Sequence, residues 1–185
     1  MRVLLLVVGV LVALVLLVVI AGYLLPVKHV VTVSAPIPAP PDSVWAALTR
    51  PKDFPSWRPD VAAVDTLPDQ DGHAAWRETG KNGSISFVVE QAERPRRLVT
   101  RITDKSLPFG GGWEYVVTPE GAGSRVRITE RGEVYNPVFR LVSRFVMGHS
   151  ATARGYLMSL ARKYGAEVEP VVEPETEPTQ GERVS

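Results

Sequence analysis

One curved antiparallel sheet of about six or seven strands, wrapped on a long C-terminal helix, is the α+β arrangement that this sequence predicts. Three observations carry it. Runs of alternating apolar and polar residues at 74–80, 85–91, 97–103, 112–118 and 125–134 read as a meander of strands. The 41–61 stretch has proline at 41, 51, 55 and 59, so at most a short helix is followed there by a tighter turn or two. Asn136-Pro137 then marks a helix start, with asparagine as cap and proline at the first helical position, and the helix runs to Tyr164 with Gly165 as its stop.

The elements follow in chain order. Residues 3–27 carry no charged side chain and are mostly Leu and Val. About 25 residues at the helical rise exceed the ~30 Å hydrocarbon core, so a transmembrane helix is expected, with Tyr23 at the interface and Pro26 as a stop. A cleaved signal peptide is the rival, but its apolar region is usually ~7–15 residues long with a small-x-small site. Val19-Ile20-Ala21 is the best site on offer, so an uncleaved anchor is expected. Arg2 and the terminal amine lie on one side, Lys28 and His29 on the other, and the short positive N-terminus favours an extracytoplasmic domain. Four residues, Pro26 to His29, separate anchor from first strand; they reach at most ~14 Å, which seats the domain on the headgroups.

Val44, Trp45 and Leu48 give the first short helix one apolar face, and Phe54 and Trp57 repeat the spacing on the second. Asn82-Gly83 between two alternating runs is a hairpin signal. The Glu120–Ser124 stretch is a turn, since it lacks the lysine and the helix of a phosphate loop. Beyond Glu167 the chain is acidic and proline-rich, which reads as a disordered tail: an inert terminus or a docking segment for a protein partner.

Plotted at 100° per residue, the C-terminal helix places Val138, Val142, Phe145, His149, Ala153, Tyr156 and Leu160 on one face. Arg140, Arg144, Arg154 and Arg162 fall on the other, towards solvent or lipid phosphates. Gly148, His149, Thr152 and Ala153 are small or polar at the middle of the inward face, and they are expected to leave a cavity against the sheet. His149 in that setting needs a hydrogen-bond partner or is a polar handle on an apolar pocket, with the Tyr156 hydroxyl two turns away. Glu130 is in phase with Val126 and Ile128, but Gly132 nearby favours a bulge that turns it to water. The connection from Asp104 to Gly112 bears an apolar tip, Leu107 and Phe109, suited to gating a pocket or touching the bilayer.

These marks together resemble the START-like superfamily, the polyketide cyclase/dehydrase and Bet v 1-like proteins with a helix-grip fold. The resemblance runs from about Lys28 to about Glu167. It is carried by Ala35-Pro36 closing the first strand, Val44-Trp45-x-x-Leu48, Trp57-x-Pro59-x-Val61, the Trp113 strand, and Leu160-Ala161-Arg162-Lys163-Tyr164 at the end of the last helix. It implies three parts: an anchor at 1–27, a helix-grip domain with two short helices after its first strand at 28–167, and the tail at 168–185. It specifies a fold and leaves the chemistry open.

The formal net charge of +1 argues against a nucleic-acid surface. With no cysteine there is no disulfide, thiol catalysis or cysteine metal site. His29, His73 and His149 are isolated, no serine sits in a nucleophile elbow, and no dinucleotide fingerprint occurs, so neither metal nor cofactor is expected. The leading expectation is a membrane-tethered binding module for an apolar or amphipathic, lipid-like small molecule, lined by Trp57, Phe109, Trp113, Phe145, His149, Thr152, Ala153 and Tyr156. The alternatives are a cyclase/dehydrase-like enzyme using His149, Tyr156 and Glu130 as acid-base groups, and a ligand-free envelope interaction protein.

Overall fold

The computed structural model of the chain describes residues 1–174 apart from Asn82 and His149, and only the backbone of Val146 and Met147. Helix α1 (Arg2–Leu24) leads by a three-residue link into β1 (Lys28–Ile37). Helix α2 (Pro41–Leu48) and a 3-10 turn (Pro51–Ser56) follow. Six strands then run in sequence: β2 (Ala63–Gln70), β3 (His73–Gly80), β4 (Gly83–Glu93), β5 (Arg97–Ile102), β6 (Phe109–Glu120) and β7 (Gly123–Val134). Helix α3 (Pro137–Val142), a π-helical turn (Ser143–Met147), α4 (Ala151–Lys163) and the short β8 (Val171–Glu173) complete it. The sheet has eight strands in the order β2-β3-β4-β5-β6-β7-β1-β8, with every neighbouring pair antiparallel.

Alternation along the strands makes one face apolar. Val33, Ala35 and Ile37 on β1, Val117 on β6, and Val126 and Ile128 on β7 pack with Val44, Trp45 and Leu48 of α2 and Ala153, Leu157, Leu160 and Ala161 of α4. Burying each of the larger side chains contributes on the order of 1.5–3 kcal/mol. A second apolar cluster, Phe54, Val61, Trp76, Phe87 and Ile102, fills the β2–β5 side, and Trp57, Val89 and Trp113 touch both clusters.

Several expectations are corrected. Strand β2 was not foreseen; Asp71 and Gly72, both at positive φ, turn it into β3. Pro68 fits because β2 is an edge strand. The β3–β4 hairpin lies where Asn82-Gly83 predicts, with Gly80 paired to Gly83 across residues 81–82. The sheet continues past Glu167: Pro170 is buried, and β8 pairs with β1 through Thr32–Glu173, Val33–Val172 and Ser34–Val171. Residues 175–185 of the expected tail lie outside the described residues.

The last helix is not continuous. Gly148 at φ 73° and ψ 137° breaks it, a conformation closed to residues with a Cβ, so a single wheel cannot be drawn from 137 to 164. Val142 and Phe145 therefore point out, while Ala153 and Leu160 point in. Arg140, expected to face solvent, is buried. Its Nε donates to the Val134 carbonyl (2.7 Å), Nη2 to Tyr135 (2.9 Å), and Nη1 to Gly22 (3.2 Å) and Leu25 (3.3 Å). Those last two carbonyls lie at the end of α1, where Gly22 also accepts the Leu25 amide, so Arg140 adds a cap to that helix from outside it.

Candidate functional site

The two apolar clusters meet around a buried ion pair. Pro55 and Pro59 restrict the chain on either side of Trp57 and Arg58, and the Arg58 amide donates to the Phe54 carbonyl at 2.8 Å. Arg58 is 8% exposed. Its Nη1 lies 3.0 Å from Glu78 Oε2, its Nη2 2.6 Å from Asp60 Oδ2, and its Nε 3.4 Å from Asp60 Oδ1. Glu78 arrives from β3, in phase with Trp76, whose indole N–H donates to Glu78 Oε1 at 2.9 Å. The guanidinium also lies over two rings, 5.1 Å from the Phe54 centroid and 4.9 Å from that of Tyr156.

Aromatic contacts extend from this pair in two directions. Tyr156 meets Trp57 edge-on at 5.4 Å and Tyr115 at the same distance. Trp76 stacks on Phe87 at 5.4 Å, and Phe87 meets Trp113 at 5.7 Å. Trp113 in turn donates its N–H to Glu130 Oε2 (3.1 Å), and Glu130 Oε1 lies 3.6 Å from His29 Nε2. The His29 ring occupies the space that a side chain at Gly132 would need.

Burial would lower the Arg58 pKa, but the Glu78 and Asp60 carboxylates outweigh it and raise it, so this guanidinium stays charged. Burial raises the Glu78 pKa against the opposing pull of Arg58. The Tyr115 and Tyr156 hydroxyls are both pushed up, chiefly by burial. Both remain protonated near neutral pH, and so serve as hydrogen-bond donors rather than bases. Among the described residues, the buried Trp57 indole N–H has no hydrogen-bond acceptor.

Of the residues expected to line a pocket, Trp57, Trp113 and Tyr156 converge at the joint of the clusters, together with Tyr115 from β6. All four are half-buried and packed against the core clusters, Trp57 and Trp113 against both. Phe109 is at the end of the sheet next to α1, stacked on Phe139 at 6.2 Å. Phe145 is 70% exposed and Thr152 is exposed, both away from this group. His149 lies outside the described residues. Ala153, expected to border open volume, is 1% exposed and packed in the core, because α4 turns it onto β1. Glu130 does not turn out to water: β7 pairs without a bulge, and its side chain is only 12% exposed. Glu130 and Tyr156 thus have separate partners. Two surface hollows lie elsewhere, one beside Leu25, His29 and Arg140, the other beside Gln70, Val88 and Arg97. Among the described residues, no three His, Asp or Glu side chains converge as a metal site.

Arg58, Asp60, Glu78 and Tyr115 were missed as site residues. The alternation that puts Trp76 inward also puts Glu78 inward, and Arg58, between Pro55 and Pro59, was the complementary charge.

Among curated proteins, no sequence matches this chain. Solved structures share its fold. A Thermus thermophilus protein, TTHA0849, is 19% identical with a TM-score of 0.61, covering 74% of this chain and 97% of its own. A START superfamily protein from Mycobacterium smegmatis is 13% identical with a TM-score of 0.56, over 74% and 97%. Truncated norcoclaurine synthase from Thalictrum flavum is 12% identical with a TM-score of 0.58, over 74% and 93%. The model of one family, described as polyketide cyclase / dehydrase and lipid transport, matches residues 28–164. With its helix-grip sheet and the aromatic joint inside it, the chain belongs to that polyketide cyclase/dehydrase and lipid transport family.

Proposed function

We propose that this protein is a membrane-tethered binding module that takes an apolar or amphipathic, lipid-like small molecule between α4 and the sheet, on the extracytoplasmic side. The observation that carries this reading is the aromatic group of Trp57, Trp113, Tyr115 and Tyr156 inside the fold, with a buried Trp57 N–H that has no acceptor among the described residues and a charged Arg58 over the Tyr156 ring. Such a site accepts an apolar body and offers a donor to one polar group. The description of the family, which includes lipid transport, supports the ligand class.

The tether rests on α1, which is long and apolar enough to cross a membrane. That helix is also stitched to the domain: Gly22 lies against Pro137, and Arg140 donates to the Gly22 and Leu25 carbonyls. A leader removed on export would forfeit those bonds, which favours retention.

The test is native mass spectrometry of a 28–174 fragment purified without detergent, with its fold checked by circular dichroism. An added, releasable apolar mass is expected, reduced in Trp57→Phe. A folded fragment that stays bare after incubation with membrane extract would overturn the binding reading.

A further inference from the structure

Beyond Leu24, and apart from Val171 and Val172 of β8, the exposed large apolar side chains of the described residues belong to two short stretches. They are Val27 and Val30, and Tyr135, Val138, Val142 and Phe145. Both stretches adjoin the end of α1. Single exposed apolar residues are ordinary on a surface, but their confinement to one end of a domain marks an interaction site.

The geometry says what they meet. Gly22 against Pro137, and the Arg140 bonds to Gly22 and Leu25, hold α3 level with the last turn of α1. That turn is where a spanning helix leaves the hydrocarbon. Phe139 of α3 looks into the domain, onto Phe109, while Val138 and Val142 look out. Next comes Phe145, with the Arg144 guanidinium 6.0 Å from its ring centroid, and Gly148 then turns the chain back into α4. Arg144 is exposed, and so is Lys28 across the junction.

We propose that residues 137–147 form a second membrane contact, a short monotopic segment lying in the headgroup layer beside the anchor. Val138, Val142 and Phe145 enter the acyl boundary, and Arg144 and Lys28 sit among lipid phosphates. This rests on the reading of α1 as a retained anchor. Phe109, stacked on Phe139, then stands between the aromatic group around Tyr156 and the bilayer.

The chain has no cysteine, so one thiol can be introduced at a time. Full-length Phe145→Cys, Val142→Cys and Ala122→Cys would each carry an environment-sensitive fluorophore and be reconstituted in phosphatidylcholine/phosphatidylglycerol vesicles. Ala122 is exposed at the β6–β7 turn, the other end of β7 from the anchor. Labels at 145 and 142 are expected to shift to the blue and lose emission to brominated lipid, while the label at 122 does neither. If the protein floats with the vesicles but the label at 145 behaves like that at 122, the segment does not touch lipid and the anchor stands. A blue shift without quenching would mean that protein covers the face, which also overturns the proposal. Failure to float would overturn anchor and segment together.

Discussion

Arg58 and Arg140 are equally withdrawn from water, at 8% and 9% exposed, but the groups that solvate them differ in kind. Arg58 meets two carboxylates and two aromatic rings. Arg140 meets backbone carbonyls contributed by α1, the link after it, the end of β7 and the residue beyond. The first charge is balanced by opposite charge; the second is balanced by dipoles, including those at the negative end of α1. The contrast separates two uses of one side chain. At Arg58 a charge-paired polar joint, one guanidinium against the buried Glu78 and the exposed Asp60, lies between two apolar clusters. At Arg140 a rigid fork makes four hydrogen bonds that tie several chain segments together, with no carboxylate partner among the described residues.

The largest effect should come from Arg58→Ala. It leaves Glu78 buried without its cation, at a cost of about 3–5 kcal/mol in denaturant unfolding of the detergent-solubilised chain. A loss below about 1 kcal/mol would mean that the carboxylate finds water or a proton easily, and the charge-balanced account of this region would fail. Arg140→Met is expected to cost about 1–3 kcal/mol, because carbonyls go unpaired but no charge is stranded. Its signature is local: amide exchange should rise around residues 22–27 and 134–136 and stay unchanged around Arg58. Uniform change across the domain would erase the distinction between the two arginines.

Titration sharpens it further. The Glu78 pKa is raised above 4.5 in the fold, so its contribution is full below the unfolded value and lost as pH rises through the folded one. The wild-type advantage over Glu78→Gln should therefore be greatest in acid and shrink upward. Glu114 behaves oppositely. Burial would raise its pKa, but bonds from Arg97 (2.5 Å) and Arg131 (3.1 Å) outweigh burial and lower it. Glu114→Gln should cost only about 0.2–1 kcal/mol, visible above the carboxylate range and vanishing as pH falls. Parallel pH profiles for the two variants would contradict the assignment of their surroundings.

Much of this was legible from residue order, because strands β3 to β7, α2 and the long apolar helix α1 are each dictated by local composition, periodicity and turn chemistry. Trp57 and Tyr156 were placed in the interior because helical spacing sets them in phase with apolar neighbours, whereas the strand of Trp113 offers two faces that alternation alone does not tell apart. What escaped depended on partners distant in sequence. Arg58 looks like a surface residue until Glu78 is brought to it across β2 and β3. The Asp71-Gly72 signal for β2 was present but unused, since Pro68 and the charges around it mask the alternation. Arg140 was misassigned because a wheel assumes an unbroken helix, and Gly148 ends the validity of that assumption. Strand β8 has too few residues to show a period, and its pairing depends on the exposed edge that β1 provides.

Only Leu25, Pro26 and Val27 join α1 to β1, and the Val134 amide bonds back to the Val27 carbonyl at 2.8 Å. A flexible linker of many residues would let the domain sweep a hemisphere above the membrane and sample partners in three dimensions. This junction removes that freedom. With α1 in a bilayer, the domain keeps lateral diffusion and spin about the membrane normal. Its encounters become a search in a plane, and any molecule that delivers or collects its ligand must come to the same surface.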